Sequence, residues 1–356
     1  MPFDVRDFPG APPGDWAARP ASRRLIAVWL FTIAGMMLVM IALGGLTRLS
    51  GSGLSIMEWA PLMGTLPPLS DLEWQRLYRL YTQIPQYALI NQGFGLDGFK
   101  HIFWLEWTHR LWGRLIGAAV LLPLLWFWHR GQINRRLAAG LFGLFLLGGL
   151  QGAVGWFMVA SGFAPDSTAV APGRLTIHLV LALLLYGAII WTGLSVLRPH
   201  PAKAPALLRR LTLAATLLVF LTIIAGGFVA GLHAGLDYNT FPLMDGHLVP
   251  AGYADLHPFP RNLTENIATA QFDHRLLATL SVLAIGSVLA FGFPVPGLRS
   301  RLCLVGTAVA LQYGLGVATL IWAVPLPLAS AHQVGATLLL TALLVLLHAL
   351  RPVRRT

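Results

Sequence analysis

Of the chain's 356 residues, 56% are hydrophobic and only 11% charged, with a formal net charge of +11. Soluble domains carry about 25% charged residues, so a water-soluble globular fold is excluded. The single cysteine, Cys303, excludes an intramolecular disulfide, a Cys-x-x-Cys-His haem attachment and a thiolate metal cluster. It lies in an apolar run and reads as a small packing residue.

A helix needs about 20 apolar residues to cross a bilayer. Eight runs meet that length: Leu25–Leu46, Trp107–Trp128, Leu137–Ala160, Leu175–Leu197, Leu211–Leu232, Gln271–Phe293, Leu302–Val324 and Leu328–Leu350. Helices satisfy their own backbone groups in lipid, whereas barrel strands would be about half as long and alternate in polarity. The first run is too long for a signal-peptide core, follows a 24-residue polar lead and lacks a small-residue cleavage site. It is therefore read as a retained span. The expected fold is an all-α integral membrane protein with eight transmembrane helices.

Charge placement sets the orientation. With the N-terminus cytoplasmic, the inner tails and loops hold sixteen Lys/Arg and three acids, and the outer side nine and eleven. That is +13 against −2, the positive-inside bias, and it puts both termini in the cytoplasm. The basic excess is thus topological, and nucleic acid is not an expected partner.

The chain is also written twice. Gly44-Gly45 is echoed by Gly226-Gly227, Gly53-Leu54 by Gly235-Leu236, and Pro61-Leu62-Met63 by Pro242-Leu243-Met244. His109-Arg110-Leu111 matches His274-Arg275-Leu276; Gln151 with Gly155 matches Gln312 with Gly316; His178 matches His332. Each repeat has four spans, so both enter the membrane in the same direction. Two parallel four-helix bundles follow, related by a pseudo-twofold axis along the membrane normal. The division is a cytoplasmic tail (1–24), an N-terminal bundle (25–200) with a long outer loop (47–106), and a C-terminal bundle (201–356). The glycines around Gly148, Gly149, Gly152 and Gly155 are read as ordinary helix packing.

Within each repeat the second and fourth spans run inward, and each carries a histidine just inside its outer end: His109 and His178, then His274 and His332. Two imidazoles facing across a bundle core are a place to hold a metal or porphyrin. A closed zinc site needs four ligands, while haem iron needs two axial ones, so haem is preferred. His101, His129, His200, His233, His247, His257 and His348 have no matched partner and are read as mostly solvated.

The repeats differ three residues before the first histidine, with Glu106 in one and Gln271 in the other. Residues i and i+3 share a helix face, so Glu106 is expected to face the same slot as His109, unless it pairs with Arg110 or Arg114. A carboxylate at that depth is costly and is a functional suspect; an amide cannot exchange protons. Chemistry is therefore assigned to the first half and a stable cofactor to the second. Arg110 and Arg275 flank the two slots and suit porphyrin propionates, or simply snorkel to the helix end.

These motifs together resemble the haem A synthase family. The likeness runs from about Leu25 to Leu350, through Gly44-Gly45-Leu46-Thr47-Arg48-Leu49-Ser50-Gly51-Ser52-Gly53-Leu54-Ser55, Trp59-Ala60-Pro61, Glu106-Trp107-Thr108-His109-Arg110, His178, Asp273-His274-Arg275 and His332-Gln333. The resemblance implies that a ring methyl of haem O is oxidised to a formyl group, giving haem A for cytochrome oxidase. It implies that His274 and His332 ligate a haem b cofactor, and that His109 and His178 serve the substrate haem beside a catalytic Glu106. It implies a bacterial inner membrane setting, with haem O synthase and an electron acceptor such as quinone as candidate partners. The outer-loop cysteine pair of some relatives is missing here, so a thiol step is excluded. On physics alone, a bis-histidine cytochrome b passing electrons between quinol and a partner would fit nearly as well; a haem carrier should need an inner site or central pathway, yet all four histidines sit near the outer face.

Overall fold

The computed structural model describes residues 18–61, 63–165, 167–197, 201 and 204–352. Leu62 of the repeated Pro-Leu-Met, His200, and nine of the charged residues counted for sidedness (Asp4, Arg6, Asp7, Asp15, Asp166, Arg198, Lys203, Arg354 and Arg355) lie outside the described residues.

Among the described residues the chain forms α-helices, short 3-10 turns and two isolated β-bridges, with no strand. In chain order the helices are α1 (Arg23–Leu49), α2 (Asp71–Tyr81), α3 (Pro85–Leu89), α4 (Gly95–His129), α5 (Arg135–Val159) and α6 (Pro172–Leu197). They continue with α7 (Ala206–Gly231), α8 (Asn262–Glu265), α9 (Ile267–Gly292), α10 (Arg299–Ile321) and α11 (Leu326–Ala349). The eight expected spans are the eight long helices, α1, α4, α5, α6, α7, α9, α10 and α11. Twenty-six residues of helix make about 39 Å, enough to cross a hydrocarbon core of about 30 Å. Large apolar side chains such as Leu122, Leu184, Leu283 and Leu304 stay exposed on the outer surface of the bundles, as lipid-facing positions should.

Local chemistry sets the helix ends. Asn134 caps α5 by accepting from Leu137 N–H at 2.8 Å, and Asn266 caps α9 by accepting from Thr269 N–H at 3.1 Å. Pro172 opens α6, where its missing N–H has no helical partner to lose.

The long helices close into two rings. In the first, α1 packs on α4 and α6, and α5 on α4 and α6. In the second, α7 packs on α9 and α11, and α10 on α9 and α11. The rings join where α1 meets α11, α6 meets α7, and α6 meets α11. Each ring has its own apolar core, one around Ile26, Leu30 and Leu141, the other around Leu208, Ile285 and Leu302. Polar ties cross the junction: Tyr186 Oη to Thr341 Oγ1 at 2.8 Å, Gln333 Nε2 to Ile41 O at 2.8 Å, and Arg48 Nη1 to Ala230 O at 2.9 Å.

Four expectations change. The segment 47–106 is not an open loop: α2, α3 and the first turns of α4 share a core of Leu54, Trp74, Leu77, Tyr81, Phe99 and Phe103. Helix α4 therefore starts twelve residues before Trp107, and His109 lies well inside it; Asp97, Lys100 and His101 break the apolar run without breaking the helix. His348 is buried between α6 and α11, edge-on to Trp191 with Ser195 Oγ 3.1 Å from Nε2, and Arg351 donates to it. The other described, unmatched histidines are exposed. Cys303 is exposed rather than packed. Finally, a methyl group on Gly148, Gly149 or Gly152 would meet nothing within 4 Å, so these glycines do not serve close helix packing. Gly155 does make a close approach, to a histidine ring.

Candidate functional site

Each of the four histidines rests on a glycine of a neighbouring helix in its own ring. His109 of α4 lies on Gly44 of α1, and His178 of α6 on Gly155 of α5. In the second ring, His274 of α9 lies on Gly226 of α7, and His332 of α11 on Gly316 of α10. A methyl group at these glycines would come within 2.8–3.2 Å of the nearest ring atom. Only a residue without a Cβ lets the helix backbone come so near an imidazole.

The second ring's histidines face each other. Their ring centres are 6.4 Å apart and their planes stand at 88°. Two metal–imidazole bonds of roughly 2 Å, with the ring centres lying behind the bonding nitrogens, span about 6 Å. The pair therefore fits one metal between them. His274 Nδ1 lies 3.0 Å from Thr222 O. A carbonyl only accepts, so Nδ1 carries the proton and Nε2 keeps the lone pair a metal needs. Gln312 Nε2 sits 3.0 Å from both His332 Nδ1 and His332 O, while its Oε1 is buried without a partner. His109 and His178 lie near each other but make no ring-to-ring contact of this kind. Among the described residues no group of three or more His, Cys, Asp or Glu side chains could hold a metal ion. In the second ring the donor set is a facing pair of imidazoles, which suits two axial ligands of a porphyrin.

Glu106 is buried, 3% exposed, and does not project free into the slot beside His109. Its Oε2 accepts from Ser55 N–H at 2.8 Å, Ser55 Oγ at 2.8 Å and Ile56 N–H at 3.0 Å. Its Oε1 accepts from Arg110 Nε at 3.0 Å and Nη2 at 2.5 Å. The reason is the turn after α1, which aims two consecutive backbone N–H groups at the carboxylate. Of the two arginines weighed as partners, Arg110 makes the ion pair; Arg114 instead donates to Pro61 O and Ala60 O.

Arg110 also donates to Glu58 O at 2.8 Å and Ile56 O at 2.9 Å. Arg275 repeats the pattern on the second loop, donating to Thr240 O at 2.9 Å, Tyr238 O at 2.6 Å and Gln271 Oε1 at 3.0 Å. Both arginines thus clamp the segment that follows the first helix of their ring. Arg275 Nε remains buried without a partner, as do Arg114 Nη1 and Trp107 Nε1. Sequence reasoning names Arg275 as a propionate contact and Arg114 as an alternative partner of Glu106, but it misses the Trp107 donor, the Thr222 carbonyl and the roles of Gln151 and Gln312. The glutamines' spacing to Gly155 and Gly316, four residues in each repeat, was the available signal.

The paired imidazoles, their glycine seats and the two arginine clamps lie within a stretch that a family model covers almost whole. Residues 27–344 match the family described as cytochrome oxidase assembly protein. A haem A synthase of Granulibacter bethesdensis is 62% identical over 338 residues, covering 94% of this chain and 90% of the relative. The chain belongs to the haem A synthase family. A second member, from Rhodospirillum centenum, is 49% identical over 97% of this chain and 92% of its own length. A third, from Nitrosospira multiformis, is 47% identical over 93% and 95%. The family is one of cytochrome oxidase assembly, and the chain's own eight long apolar helices mark a multi-pass membrane protein.

Proposed function

We propose that the protein converts haem O to haem A, oxidising one ring methyl to a formyl group through a hydroxymethyl and a hydrated aldehyde that loses water. One observation carries the reading: four glycine-seated imidazoles, two in each helix ring, in a chain that matches haem A synthases over nearly its whole length.

In this reading His274 and His332 hold haem b, with Nε2 of His274 kept unprotonated by the Thr222 carbonyl. Haem b, when bound, supplies the electron transfer that side chains cannot. His109 and His178 serve haem O. Arg275, through its unpartnered Nε, is the better placed of the two arginines for a propionate; Arg110 has all but one of its N–H groups committed. Both oxygens of Glu106 are taken up by hydrogen bonds, and a proton there would displace its pair with Arg110. Its contribution is to hold the Ser55–Ile56 turn and Arg110 above the slot, so that the substrate ring is met by a fixed wall.

The loop segments lie on the outer face of the bacterial inner membrane, with both termini cytoplasmic, as the positive-inside bias supports. The two rings relate by a pseudo-twofold axis along the membrane normal, which the matched seats and clamps support. Haem O synthase and a quinone acceptor are the expected partners.

Mass spectrometry of extracted haems tests the function. Membranes with this protein and supplied haem O should yield a formyl-bearing haem. A cytochrome b that only relays electrons would return every ring substituent unchanged, and that result would overturn the reading.

A further inference from the structure

Each ring has four seams between neighbouring helices, and three of them are occupied. In the first ring His109 against Gly44 fills the α1–α4 seam and His178 against Gly155 fills the α5–α6 seam, while the α1–α6 side faces the second ring. In the second, the His274 and His332 seats fill the α7–α9 and α10–α11 seams, and the α7–α11 side faces the first ring. One outward seam is left in each, α4–α5 and α9–α10. Exposed leucines stand at matching places on these helices, Leu115 and Leu150 in the first ring, Leu280 and Leu311 in the second.

The α9–α10 seam is bridged. Tyr313 of α10 follows Gln312, the residue bonded to His332, and so stands near the depth of the imidazoles. Its Oη lies 3.3 Å from Thr279 Oγ1 of α9. Its ring meets Phe241 edge-on, with centres 6.3 Å apart. The neighbouring Thr240 carbonyl is held by the Arg275 clamp, which ties Phe241 to α9. One turn deeper, Val309 packs on the second ring's apolar core.

The α4–α5 seam lacks these side chains. Gly152 follows Gln151 where Tyr313 follows Gln312, and Gly148 stands for Val309. The alignments that pair His109 with His274 and Pro61 with Pro242 put Arg114 and Ala60 in place of Thr279 and Phe241. Arg114 reaches to Pro61 O and Ala60 O. A methyl group at Gly148 or Gly152 would meet nothing within 4 Å. Nearer the outer face Arg110 lies over Trp156 of α5 at 5.6 Å, and toward the cytoplasm Leu124 and Leu141 share the first core. The gap is therefore a window between those two closures.

Haem O differs from haem b by a long isoprenoid chain. A close-packed bundle has no room for such a chain inside, and its apolar surface is favoured in lipid. A ring that accepts haem O needs a lateral gap, and a bulky side chain in that gap rejects it by clash.

We propose that Tyr313 decides which porphyrin the second ring accepts, closing the α9–α10 seam against an isoprenoid-bearing haem, and that glycine at the matching position 152 lets that chain leave the first ring between α4 and α5. The proposal rests on the reading that gives haem b to the second ring and haem O to the first.

The test reads haem identity, not turnover. The full chain is purified from a host that makes haem b but no haem O, and is loaded in nanodiscs with haem O or with further haem b. Gly152→Tyr should lower the preference for haem O over haem b at least about tenfold, while Gly152→Ala leaves it unchanged. Equal loss of both haems in Gly152→Tyr, or no loss, overturns the proposal. The second arm stands if Gly152→Tyr fails to fold. A His109→Ala, His178→Ala double variant is made in a host with both haems, and its extract should hold haem b alone. Adding Tyr313→Gly should bring haem O into that extract with the second ring's low-spin electron paramagnetic resonance signal retained, whereas Tyr313→Phe should not, since the ring fills the seam. Haem b alone in the Tyr313→Gly protein overturns the proposal and leaves the ring assignment standing. Haem O in the double variant with Tyr313 intact overturns the assignment, and the proposal with it.

Discussion

Glu106 and Gln271 stand at matching places, three residues ahead of His109 and His274, and present opposite hydrogen-bonding character to matching turns. Glu106 accepts from the N–H groups of Ser55 and Ile56, whereas Gln271 Nε2 donates to Ala234 O at 2.7 Å and Asp237 O at 2.6 Å. If Gly53-Leu54 is aligned with Gly235-Leu236, Ser55 falls on Asp237, Ile56 on Tyr238 and Glu58 on Thr240. The arginine clamp is then the same in both rings, and only the polarity of the turn and its acid or amide has changed. The pair Glu/N–H and the pair amide/C=O are two solutions to one anchoring problem.

Glu106→Ala should leave haem in the second ring while haem O or a hydroxylated intermediate accumulates in extracts. The buried Arg110 would lose its counter-charge, a loss of about 3–5 kcal/mol at a site of this kind, and the Ser55–Ile56 turn would lose its acceptor. Glu106→Gln should be only partly better, because its amide N–H would meet backbone donors. Undiminished haem A from Glu106→Ala would remove this residue from the mechanism.

Gln271→Glu should damage the second ring instead. A carboxylate there would face the carbonyls of Ala234 and Asp237 and leave both unsatisfied, at about 1–3 kcal/mol for each buried group. The measurement is haem content of the purified variant against wild type. Full haem content with unchanged thermal stability would show that the anchor does not matter.

Gly226→Ala and Gly316→Ala should lower second-ring haem content and alter the low-spin electron paramagnetic resonance signal. The new methyl would lie 3.0 and 2.8 Å from Cε1 of His274 and His332, so the rings must turn or the helices part. Overpacking of this sort costs about 1–3 kcal/mol. Gly148→Ala, which meets nothing within 4 Å, is the control and should be neutral. Identical spectra across all three would mean that the seats do not set ring orientation.

The long outer segment should loosen in acid. Arg76 binds Glu58 at 2.7 Å and Glu73 at 2.8 Å, and its hydrogen bonds hold both carboxyl groups below their ordinary value near 4.5. A depressed acid favours the folded state above its unfolded value and loses that contribution as pH falls through the folded one. Stability from this triad is therefore full above about pH 4.5 and declines below it. The side chains are about two-fifths exposed, so each pair contributes only about 0.2–1 kcal/mol. Protease sensitivity of residues 50–94 should rise below that pH in wild type, and Arg76→Ala should show the raised sensitivity at neutral pH. An Arg76→Ala protein with wild-type pH dependence would rule the triad out.

The eight spans and the matched histidines were legible in one dimension, because lipid imposes length and apolarity on every crossing segment and an imidazole at membrane depth stands out against that background. The sequence did not reveal that α4 begins at Gly95, since that extension draws its stability from packing on Trp74, Leu77 and Tyr81 and not from its own apolar run. Nor did it reveal the neighbours of Glu106, 50 residues away in the chain, or the Thr222 carbonyl that sets the His274 tautomer. Which glycines serve as seats was likewise hidden: Gly152 and Gly155 look alike in one dimension, and only the approach of α6 makes the second indispensable. Residue type and spacing record what a segment needs from its solvent, but a backbone donor, a carbonyl or an empty Cβ position acquires meaning only when another helix arrives beside it.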